Sequence, residues 1–458
     1  MYDIVVVGGG TSGCAAAFTA GMLGLKVLLL EKNIHLGGAI TSGLVIPVMH
    51  SGNNQINTDF YNSLISELQT IGGQTTYQNN SGWFNPELTK IALDNLMRKA
   101  SVEVRFNTTV HSIITDNREI KTIYINNNLL SVCNYTIYTN KNIDYSNELL
   151  FEPIEARYVI DATGNCEIGK ILNCNFLENK NEFQPISLRF IMSGVDNKSF
   201  ADWICRLDTD RNVTSSEVID GLTHFSTAYT WDTDKKWALA PIFDSAVENG
   251  VLKDTDRNYF QLFSVAGTND SVAFNCPRLP KSIDPTDIKQ VSNALNEARQ
   301  TILRLSQFCR NYLPGFEKSY ISNIADALGI RVSNRIRGKY VYTEEDLLSG
   351  KKFDNPVLIS NYPVDIHSSS KNESTLKHVN EYQLPIESLM SYDFDNLFIV
   401  GRCISAEYNA QAALRVQSSC FSMGEAAAKY IYKLLWYFLY NNSAASNKAS
   451  IVGENGGA

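Results

Sequence analysis

The chain opens with two short apolar runs on either side of a stretch of small residues. Residues 4–7 form a continuous β-branched run, and residues 27–30 form a second apolar run. Runs of this kind are typical of strands that are buried on both faces of a parallel sheet. Between them, a glycine-rich turn precedes a helix predicted over residues 14–23, which Gly24 ends. The pattern therefore predicts a strand–helix–strand unit.

The pattern changes further along the chain. Residues 102–140 alternate polar and β-branched positions between Asn-rich turns, which predicts a small antiparallel meander. Buried strands are predicted again over residues 157–160 and 397–400. The long stretch between them has mixed helix and strand patterns, including an amphipathic helix over residues 287–310. We therefore expect the chain to leave the first sheet, build a second unit and then return.

This reading divides the chain into four parts. Residues 1–165 and 392–440 are expected to form one domain in two pieces, and residues 166–391 an inserted domain. Two domains suit a chain of 458 residues, which is long for a single core. From residue 441 onward, Asn, Ser, Ala and Gly dominate, so residues 441–458 are expected to form a disordered tail.

Charge and cysteine content exclude several kinds of partner. A net charge of −8 argues against binding to nucleic acid or to an acidic membrane surface. The nine cysteines have no zinc-like spacing, so we expect no metal site and free thiols in a reducing compartment. The aromatic stretch at residues 430–440 is shorter than the roughly 20 residues of a membrane span. A packed helix is the favoured interpretation, with a membrane or subunit contact as the alternative.

The location of the protein follows from the same reasoning. The first predicted strand follows Met1 almost at once, so we expect no signal peptide and a cytoplasmic protein. The sequence does not specify the oligomeric state.

The first glycine-rich turn has the spacing of a dinucleotide-binding fingerprint. Gly8 permits a tight turn, Gly10 lets the backbone approach a pyrophosphate, and Gly13 lets the helix pack closely on the strand. The helix N-terminus favours the negative charge of the phosphates. Glu31 lies 18 residues beyond Gly13, where an acid binds the ribose hydroxyls. The fingerprint does not distinguish FAD from NAD, and a purely structural glycine turn is the alternative.

Four segments, at residues 5–44, 159–169, 328–355 and 397–428, resemble the broad bacterial family of FAD-dependent oxidoreductases. The resemblance implies an α/β fold. It would consist of a Rossmann-like FAD-binding domain, with a parallel sheet plus an antiparallel β-meander, and an inserted mixed α+β substrate domain. It also implies non-covalently bound FAD, since no motif for covalent attachment is recognisable.

The resemblance transfers a set of cofactor-binding positions to this chain. Where many relatives of the wider fold end the last strand in Gly-Asp, this chain has Gly401-Arg402, which makes monooxygenation less expected. A halogenase-type Trp motif and a second nucleotide fold are also missing from the sequence. The expected FAD-binding residues are Gly8, Gly10, Thr11, Ser12, Gly13, Glu31, Lys32, Gly37, Gly38, Thr41, Ser42, Val110, Ala162, Thr163, Gly164, Gly401, Arg402, Ala412, Leu414 and Arg415.

Arginines in the third segment are candidates for substrate binding. If this segment is a strand, Arg335, Arg337 and Lys339 share one face. Arginine binds carboxylate or enolate oxygens bidentately, so Arg331 and Arg335 are predicted to anchor the substrate or to stabilise developing charge. A solvated charged strand is the alternative, and it is the favoured one for Arg337 and Lys339.

Three other residues are weaker candidates for chemistry. His50 could act as a general base near the flavin, although a single His in a loop is more often a surface residue. Tyr382 could donate a proton. Arg415 could face the reduced flavin at the N-terminus of the last long helix, expected to begin near residues 412–415, or merely anchor the turn.

These observations lead to one functional hypothesis and one alternative. The hypothesis is an FAD-dependent oxidoreductase that transfers a hydride between FAD and a small polar substrate, with an anionic substrate as one option. An unknown electron donor or acceptor completes the cycle. The alternative is a flavin-binding protein that acts in electron relay or ligand binding. An insert of this size favours the enzyme, because it can shape a pocket over the flavin. The insert should meet the flavin at the carboxyl ends of the parallel strands.

Overall fold

A computed structural model describes most of the chain. The described residues are 1–49, 55–127, 151–178, 183–209, 213–228, 237–257, 259–366 and 375–453, with side chains of the last helix described up to residue 437. His50 lies outside these ranges, so its proposed role as a base stays a prediction.

The first sheet has seven strands in the described residues, and its parallel part forms the base of the cofactor domain. The strands are β1 (Tyr2–Val7), β2 (Val27–Leu30), β5 (Glu103–Arg105), β6 (Thr108–Asp116), β7 (Glu119–Asn127), β8 (Glu152–Asp161) and β19 (Leu397–Ile399). Strand β8 pairs in parallel with β1 and β19 and antiparallel with β7, so it joins the parallel sheet to the meander.

One strand differs from the sequence-based expectation. Residues 103–105 were expected in the meander, yet β5 pairs in parallel with β2, with Leu28 opposite Glu103. The described meander therefore consists of β6, β7 and β8. A three-residue strand is too short to reveal its partner by alternation, which explains the error.

Six helices of the described residues accompany this sheet. They are α1 (Thr11–Met22), α2 (Asp59–Thr70), α3 (Pro86–Lys99), α4 (Glu167–Ile171), α9 (Tyr408–Leu414) and α10 (Gln417–Gly453), with a small hairpin of β3 (Gln74–Tyr77) and β4 (Asn80–Phe84) between α2 and α3. Helices α1 and α10 pack very closely, since a Cβ at Gly424 would lie 2.1 Å from the Ser12 carbonyl oxygen.

The C-terminal helices correct two expectations. The long helix begins at Gln417 rather than near residues 412–415, because a separate short helix, α9, ends at Leu414 and Arg415 caps it. The long helix also continues to Gly453, past residue 441, where a disordered tail was expected to begin.

The insert is built on a second, antiparallel sheet. In the described residues it has six strands in the order β10 (Thr214–Ile219), β11 (Leu222–Ala228), β12 (Gln261–Ser264), β13 (Val272–Phe274), β9 (Phe190–Ser193) and β14 (Tyr320–Ile324). Helices α5 (Asn197–Leu207), α6 (Ala240–Glu248) and α7 (Ile288–Tyr312) accompany it. The predicted amphipathic helix is confirmed as α7, which begins after Asp287, whose side chain accepts from the amides of Lys289 and Gln290.

Aromatic packing forms the core of the insert. The rings of Phe190 and Phe274 stack at 4.3 Å between centroids, and Phe243 contacts Phe260 and Phe308 at 5.0 and 4.3 Å. All five side chains are fully buried, so these rings account for much of the apolar surface removed from water.

The segment that leads back to the first sheet contains short elements. They are α8 (Glu344–Ser349), β15 (Pro356–Ser360) paired with β18 (Tyr382–Pro385), and β16 (Val364–Ile366) paired with β17 (Thr375–Lys377). Residues 331–339 do not form the regular strand considered for Arg335, Arg337 and Lys339. They make isolated bridges instead, from Ile336 to Phe176 and from Gly338 to Ser391, because they cross from one sheet to the other.

The described helices include none that is both long enough and apolar enough to cross a membrane.

Candidate functional site

The turn between β1 and α1 leaves room for a ligand at one glycine only. Gly8 has a φ of +99°, and a Cβ there would lie 2.7 Å from the Ala162 carbonyl oxygen. A Cβ at Gly13 would lie 1.8 Å from the Gly8 carbonyl oxygen, whereas at Gly10 nothing lies within 4 Å. Gly8 and Gly13 are therefore required for packing, and Gly10 leaves the N-terminus of α1 accessible to a phosphate.

A second glycine pair lies against this turn. Gly37 donates its N–H to the Gly9 carbonyl oxygen at 2.8 Å, and Gly37 forms a parallel bridge with Gly10. A Cβ at Gly38 would be 3.0 Å from the Cα of Gly10. The loop from Gly37 thus forms a second wall beside the N-terminus of α1, as expected for residues that enclose the phosphates.

Hydroxyl groups follow in the same loop. The Thr41 hydroxyl donates to the Leu36 carbonyl oxygen at 2.6 Å, so it stabilises the turn itself. The Ser42 hydroxyl is buried and has no hydrogen-bond partner among the described residues. A buried polar group normally has a partner, so Ser42 is suited to a hydrogen bond with the cofactor.

Glu31 is held at the end of β2. One carboxylate oxygen accepts from the Gly9 N–H at 2.7 Å and the other from the Asn33 N–H at 2.8 Å. The oxygen bound to Asn33 also accepts from the Asn33 side-chain amide at 2.8 Å, whereas the oxygen bound to Gly9 keeps a further lone pair, which a ribose hydroxyl can use. Its neighbour Lys32 instead forms an exposed ion pair with Glu167 at 3.0 Å, and Val110 lies half-buried in β6.

The carboxyl ends of β1, β8 and β19 meet beside this turn. At the end of β8, buried Asp161 accepts from the amides of Thr163, Ile168 and Gly169 at 3.1 to 3.3 Å. Burial raises the pKa of this carboxyl group. Asp161 therefore fixes the Ala162-Thr163-Gly164 turn.

Arg402 follows β19 and is used for anchoring. Its guanidinium donates to the Gly164 carbonyl oxygen at 2.8 Å, to the Ile330 carbonyl oxygen at 2.6 Å and to Asn165 Oδ1 at 2.8 Å. Burial lowers the pKa of Arg402. The arginine that replaces the more usual aspartate thus connects the last strand to the β8 turn and to the insert.

The residues present fit FAD. The accessible face of Gly10, the amides at the start of α1, the fixed Glu31 carboxylate and the unpaired Ser42 hydroxyl match the polar groups of a dinucleotide. Ala412 and Leu414 lie in α9, and α10 begins close to the same loop, where Gln417 donates to the Val45 carbonyl oxygen at 2.6 Å.

Four arginines gather next to this loop, of which Arg189 and Arg331 are buried and Arg278 and Arg415 are half-buried. Arg189 contacts the Leu44 carbonyl oxygen at 3.4 Å, and Arg331 donates to the Pro185 carbonyl oxygen. The guanidinium of Arg278 stacks over the Tyr259 ring at 3.3 Å. We call these four residues the arginine cluster.

Backbone pairing explains how the cluster forms. Ser187 makes bridges to both Arg278 and Gly329, so three extended segments lie side by side. Arg189 is two residues beyond Ser187, and Arg331 is two residues beyond Gly329. Arg415 comes from the C-terminal end of α9. The cluster therefore joins the insert to the last part of the cofactor domain.

Burial and mutual repulsion both act on the cluster. Burial, followed by the charges of Arg278, Arg415 and Arg189, lowers the pKa of Arg331 well below its ordinary value. Burial also lowers the pKa of Arg189 to about 10. Arg189 nevertheless stays cationic at neutral pH, because a pKa of about 10 lies far above 7.

One carboxylate, Asp365, faces the cluster. It lies 3.6 Å from the Arg415 guanidinium and accepts from the Tyr362 hydroxyl at 3.4 Å. Burial raises the pKa of Tyr362, so this phenol keeps its proton at neutral pH. Tyr362 and Asp365 thus add a proton-carrying pair beside the arginines.

The residues predicted to act on the substrate lie in different parts of the structure. Arg331 and Arg415 belong to the cluster. Arg335 is buried elsewhere and donates to the backbone carbonyl oxygens of Ala406 at 2.8 Å and Glu178 at 3.1 Å. Tyr382 is fully buried, and its hydroxyl lies 3.2 Å and 3.3 Å from the carbonyl oxygens of Tyr362 and Ala413. Catalytic roles for Arg335 and Tyr382 stay predictions.

Sequence reasoning missed Arg189, Arg278, Tyr362 and Asp365. The sequence offered a signal for Arg189, which stands alone among apolar residues in the run at residues 188–193. A charged residue within a buried strand is unusual and therefore indicates a functional role. No cluster of metal-ligating side chains occurs within the described residues.

Two curated proteins match short parts of the chain. Ferredoxin--NADP reductase of Leuconostoc citreum is 39% identical over 87 residues, covering 17% of this chain and 25% of that protein. Vinyl phenol reductase of Lactiplantibacillus plantarum is 58% identical over 45 residues, covering 9% of each. The chain thus spans a quarter or less of the length of these relatives.

Solved structures and a family model extend the comparison. A geranylgeranyl bacteriochlorophyll reductase-like protein of Thermoplasma acidophilum is 15% identical with a TM-score of 0.45, covering 99% of this chain and 83% of that one, a likeness too weak for any argument. The family model described as FAD dependent oxidoreductase matches residues 3–432, nearly the whole chain. With a cofactor turn, an acid and a second glycine loop that fit FAD, the chain belongs to the FAD dependent oxidoreductase family.

Proposed function

We propose that this FAD-dependent oxidoreductase exchanges a hydride with a small organic anion that Arg331 and Arg415 hold beside the flavin. The observation that carries the proposal is the arginine cluster, which lies next to the loop at Leu44 and Val45. Buried cations are usually paired, so a cluster of this kind in a family of redox enzymes favours an anionic substrate.

Position supports the proposal. The loop that begins with Gly37 runs from the wall of the phosphate site to Leu44, where Arg189 contacts its backbone. Gln417 connects the start of α10 to the next residue of the same loop, Val45. A cofactor that starts at Gly10 and follows this loop would therefore reach the cluster with its other end.

Each group of the cluster has a chemical task in this proposal. When bound, FAD supplies the hydride acceptor or donor at its N5 atom. Arg331 would bind a carboxylate through two parallel N–H bonds, and Arg415 would add positive charge beside the N-terminus of α10. Tyr362 would donate or accept the accompanying proton, with Asp365 as its hydrogen-bond partner.

Anaerobic photometry of the purified holoprotein tests the proposal. Small carboxylates should shift the visible flavin spectrum, and one class should bleach or recolour the flavin. Arg331→Met should weaken carboxylate binding by about tenfold or more, because a charge-assisted hydrogen bond to a buried group is lost. Arg257→Met is the matched control, since Arg257 pairs with Asp244 and Asp254 at the surface of the insert.

Two results would contradict the proposal. Carboxylates that leave the flavin spectrum unchanged would remove the substrate assignment. An Arg331→Met variant that binds them as tightly as the Arg257→Met control would remove the role of Arg331. Binding without any redox change across all substrate classes would instead favour the alternative of a ligand-binding or electron-relay flavoprotein.

A further inference from the structure

Among the described residues, the four guanidinium groups of the arginine cluster face the single negative charge of Asp365. Among the described residues, Asp365 pairs with Arg415 at 3.6 Å. The polar contacts of Arg189 and Arg331 within the same ranges are to backbone carbonyl oxygens, at Leu44 and Pro185. Arg189 therefore has no carboxylate contact among the described residues, and Arg331 shares the charge of Asp365 with Arg278 and Arg415. The positive charge of the cluster thus exceeds the negative charge that faces it, and buried cations that are not balanced are strongly unfavourable.

Arg189 and Arg331 lie on opposite sides of the Ser187–Gly329 bridge, because each is two residues beyond a bridged residue on antiparallel segments. The Arg331 guanidinium donates to the Pro185 carbonyl oxygen, and the Arg189 guanidinium contacts the Leu44 carbonyl oxygen at 3.4 Å. We call these two guanidinium groups the poles of the cluster. Two cations with different backbone contacts suit a ligand with two anionic groups better than one compact ion.

We infer that the substrate is a dicarboxylate, with one carboxylate bound by Arg331 beside Arg415 and the other bound by Arg189. This inference rests on the proposed function and names its substrate class. Arg189 is then a specificity-determining residue, because it is the group that distinguishes a dicarboxylate from a monocarboxylate. The packing of Arg278 on Tyr259 holds a further positive charge near both poles.

The flavin does not explain this charge in its oxidised form. Oxidised isoalloxazine is neutral, and the pyrophosphate has its own site at Gly10 and the N-terminus of α1. Titration of the oxidised holoprotein therefore reports anion binding at the two poles without a contribution from a reduced, anionic flavin ring.

The experiment compares matched anions on oxidised holoprotein. Butanoate, butanedioate and sulfate are titrated, and binding is followed by the flavin spectrum and by the thermal midpoint. Butanedioate should bind about tenfold or more tightly than butanoate, since a second charge-assisted contact forms. Arg189→Met should bring this ratio close to one and leave butanoate affinity within about threefold, whereas Arg331→Met should weaken both anions.

Controls separate the possible failures. Arg257→Met should behave as the wild type, and Arg189→Lys, which keeps the charge, should retain part of the preference if Arg189→Met proves unstable. Equal affinity for butanoate and butanedioate, a preference that survives Arg189→Met, or tighter binding of sulfate than of butanedioate would each overturn the dicarboxylate assignment. If none of the three anions binds the wild type, the proposed function itself fails.

Discussion

At the scale of single residues, burial of the arginine cluster opposes folding at the place where we propose that the substrate binds. Burial lowers the pKa of Arg189 from the ordinary range of arginine to about 10. Since one pKa unit corresponds to about 1.4 kcal/mol, the charged group disfavours the folded state by roughly 3 kcal/mol. This cost is fully present at neutral pH. It falls as pH rises from the lowered pKa, where the folded protein loses the proton, towards the ordinary pKa of arginine, where the unfolded chain loses it too.

A stability measurement tests this cost. Arg189→Met should make the apoprotein more stable by about 1 to 3 kcal/mol, because a flexible apolar side chain replaces a buried cation that has one long hydrogen bond. Urea unfolding near neutral pH measures the change. Arg257→Met, at the surface, should stay within about 0.5 kcal/mol of the wild type. A less stable Arg189→Met variant would contradict this account of the cluster.

The glycines of the first turn allow a second test at this scale. Gly10→Val should give a folded protein without flavin, since nothing lies within 4 Å of a Cβ at this position and the new side chain would occupy the space of the phosphates. Gly13→Ala should instead destabilise the protein, because its Cβ would lie 1.8 Å from the Gly8 carbonyl oxygen. Flavin content after purification and the thermal midpoint are the two readouts. A Gly10→Val protein with stoichiometric flavin would show that the phosphates bind elsewhere.

At the scale of elements, three strand ends and two helices define the cofactor site. Helices α1 and α10 approach so closely at Gly424 that the first and last parts of the chain form one support for the turn at Gly8. Asp161 fixes the turn after β8, and Arg402 connects that turn to the insert at Ile330. Because these contacts are side chain to backbone, no single hydrophobic pattern indicates them.

Local backbone structure also determined which of the candidate arginines lie close together. Residues 331–339 cross between the two sheets without forming a strand, so Arg331 and Arg335 do not share a face as a regular alternation would require. Arg331 lies in the cluster, and Arg335 lies against the carbonyl oxygens of Ala406 and Glu178. The alternation of charges in that segment was therefore a poor guide to side-chain position.

At the scale of the whole molecule, the FAD site combines residues from both ends of the chain with the insert beside it. A ligand that binds only the folded protein stabilises it, by about 2.7 kcal/mol at a concentration 100 times its Kd. We expect FAD to raise the thermal midpoint of the apoprotein in a concentration-dependent way. FMN should raise the thermal midpoint much less, because FMN lacks the adenosine and the second phosphate that Glu31 and the N-terminus of α1 are expected to bind.

Differential scanning fluorimetry of apoprotein with each flavin measures this difference. Adenosine diphosphate is a useful control, since it carries the same half of the cofactor and should stabilise partially. An equal response to FMN and FAD would contradict the assignment of Glu31 and Gly10 to the adenosine half.

The sequence by itself determined the cofactor half of this protein. Glycine spacing, buried β-branched runs and an acid at a fixed distance are local features, and local backbone conformation follows from them with little help from distant residues. The strands β1 and β2 and the helix α1 could therefore be identified before the fold was known, and the cofactor roles of Gly8, Gly10, Gly13 and Glu31 stay predictions.

Only the tertiary structure brought the arginine cluster together, where we propose that the substrate binds. Arg189, Arg278, Arg331 and Arg415 are far apart in sequence and meet because Ser187, Arg278 and Gly329 pair as neighbouring backbone segments. Long-range pairing of this kind leaves no periodic signal in the chain, since each segment contributes a single charge. The parallel partner of β5, the start of α10 at Gln417 and the anchoring role of Arg402 escaped prediction for the same reason: each depends on residues that only folding brings into contact.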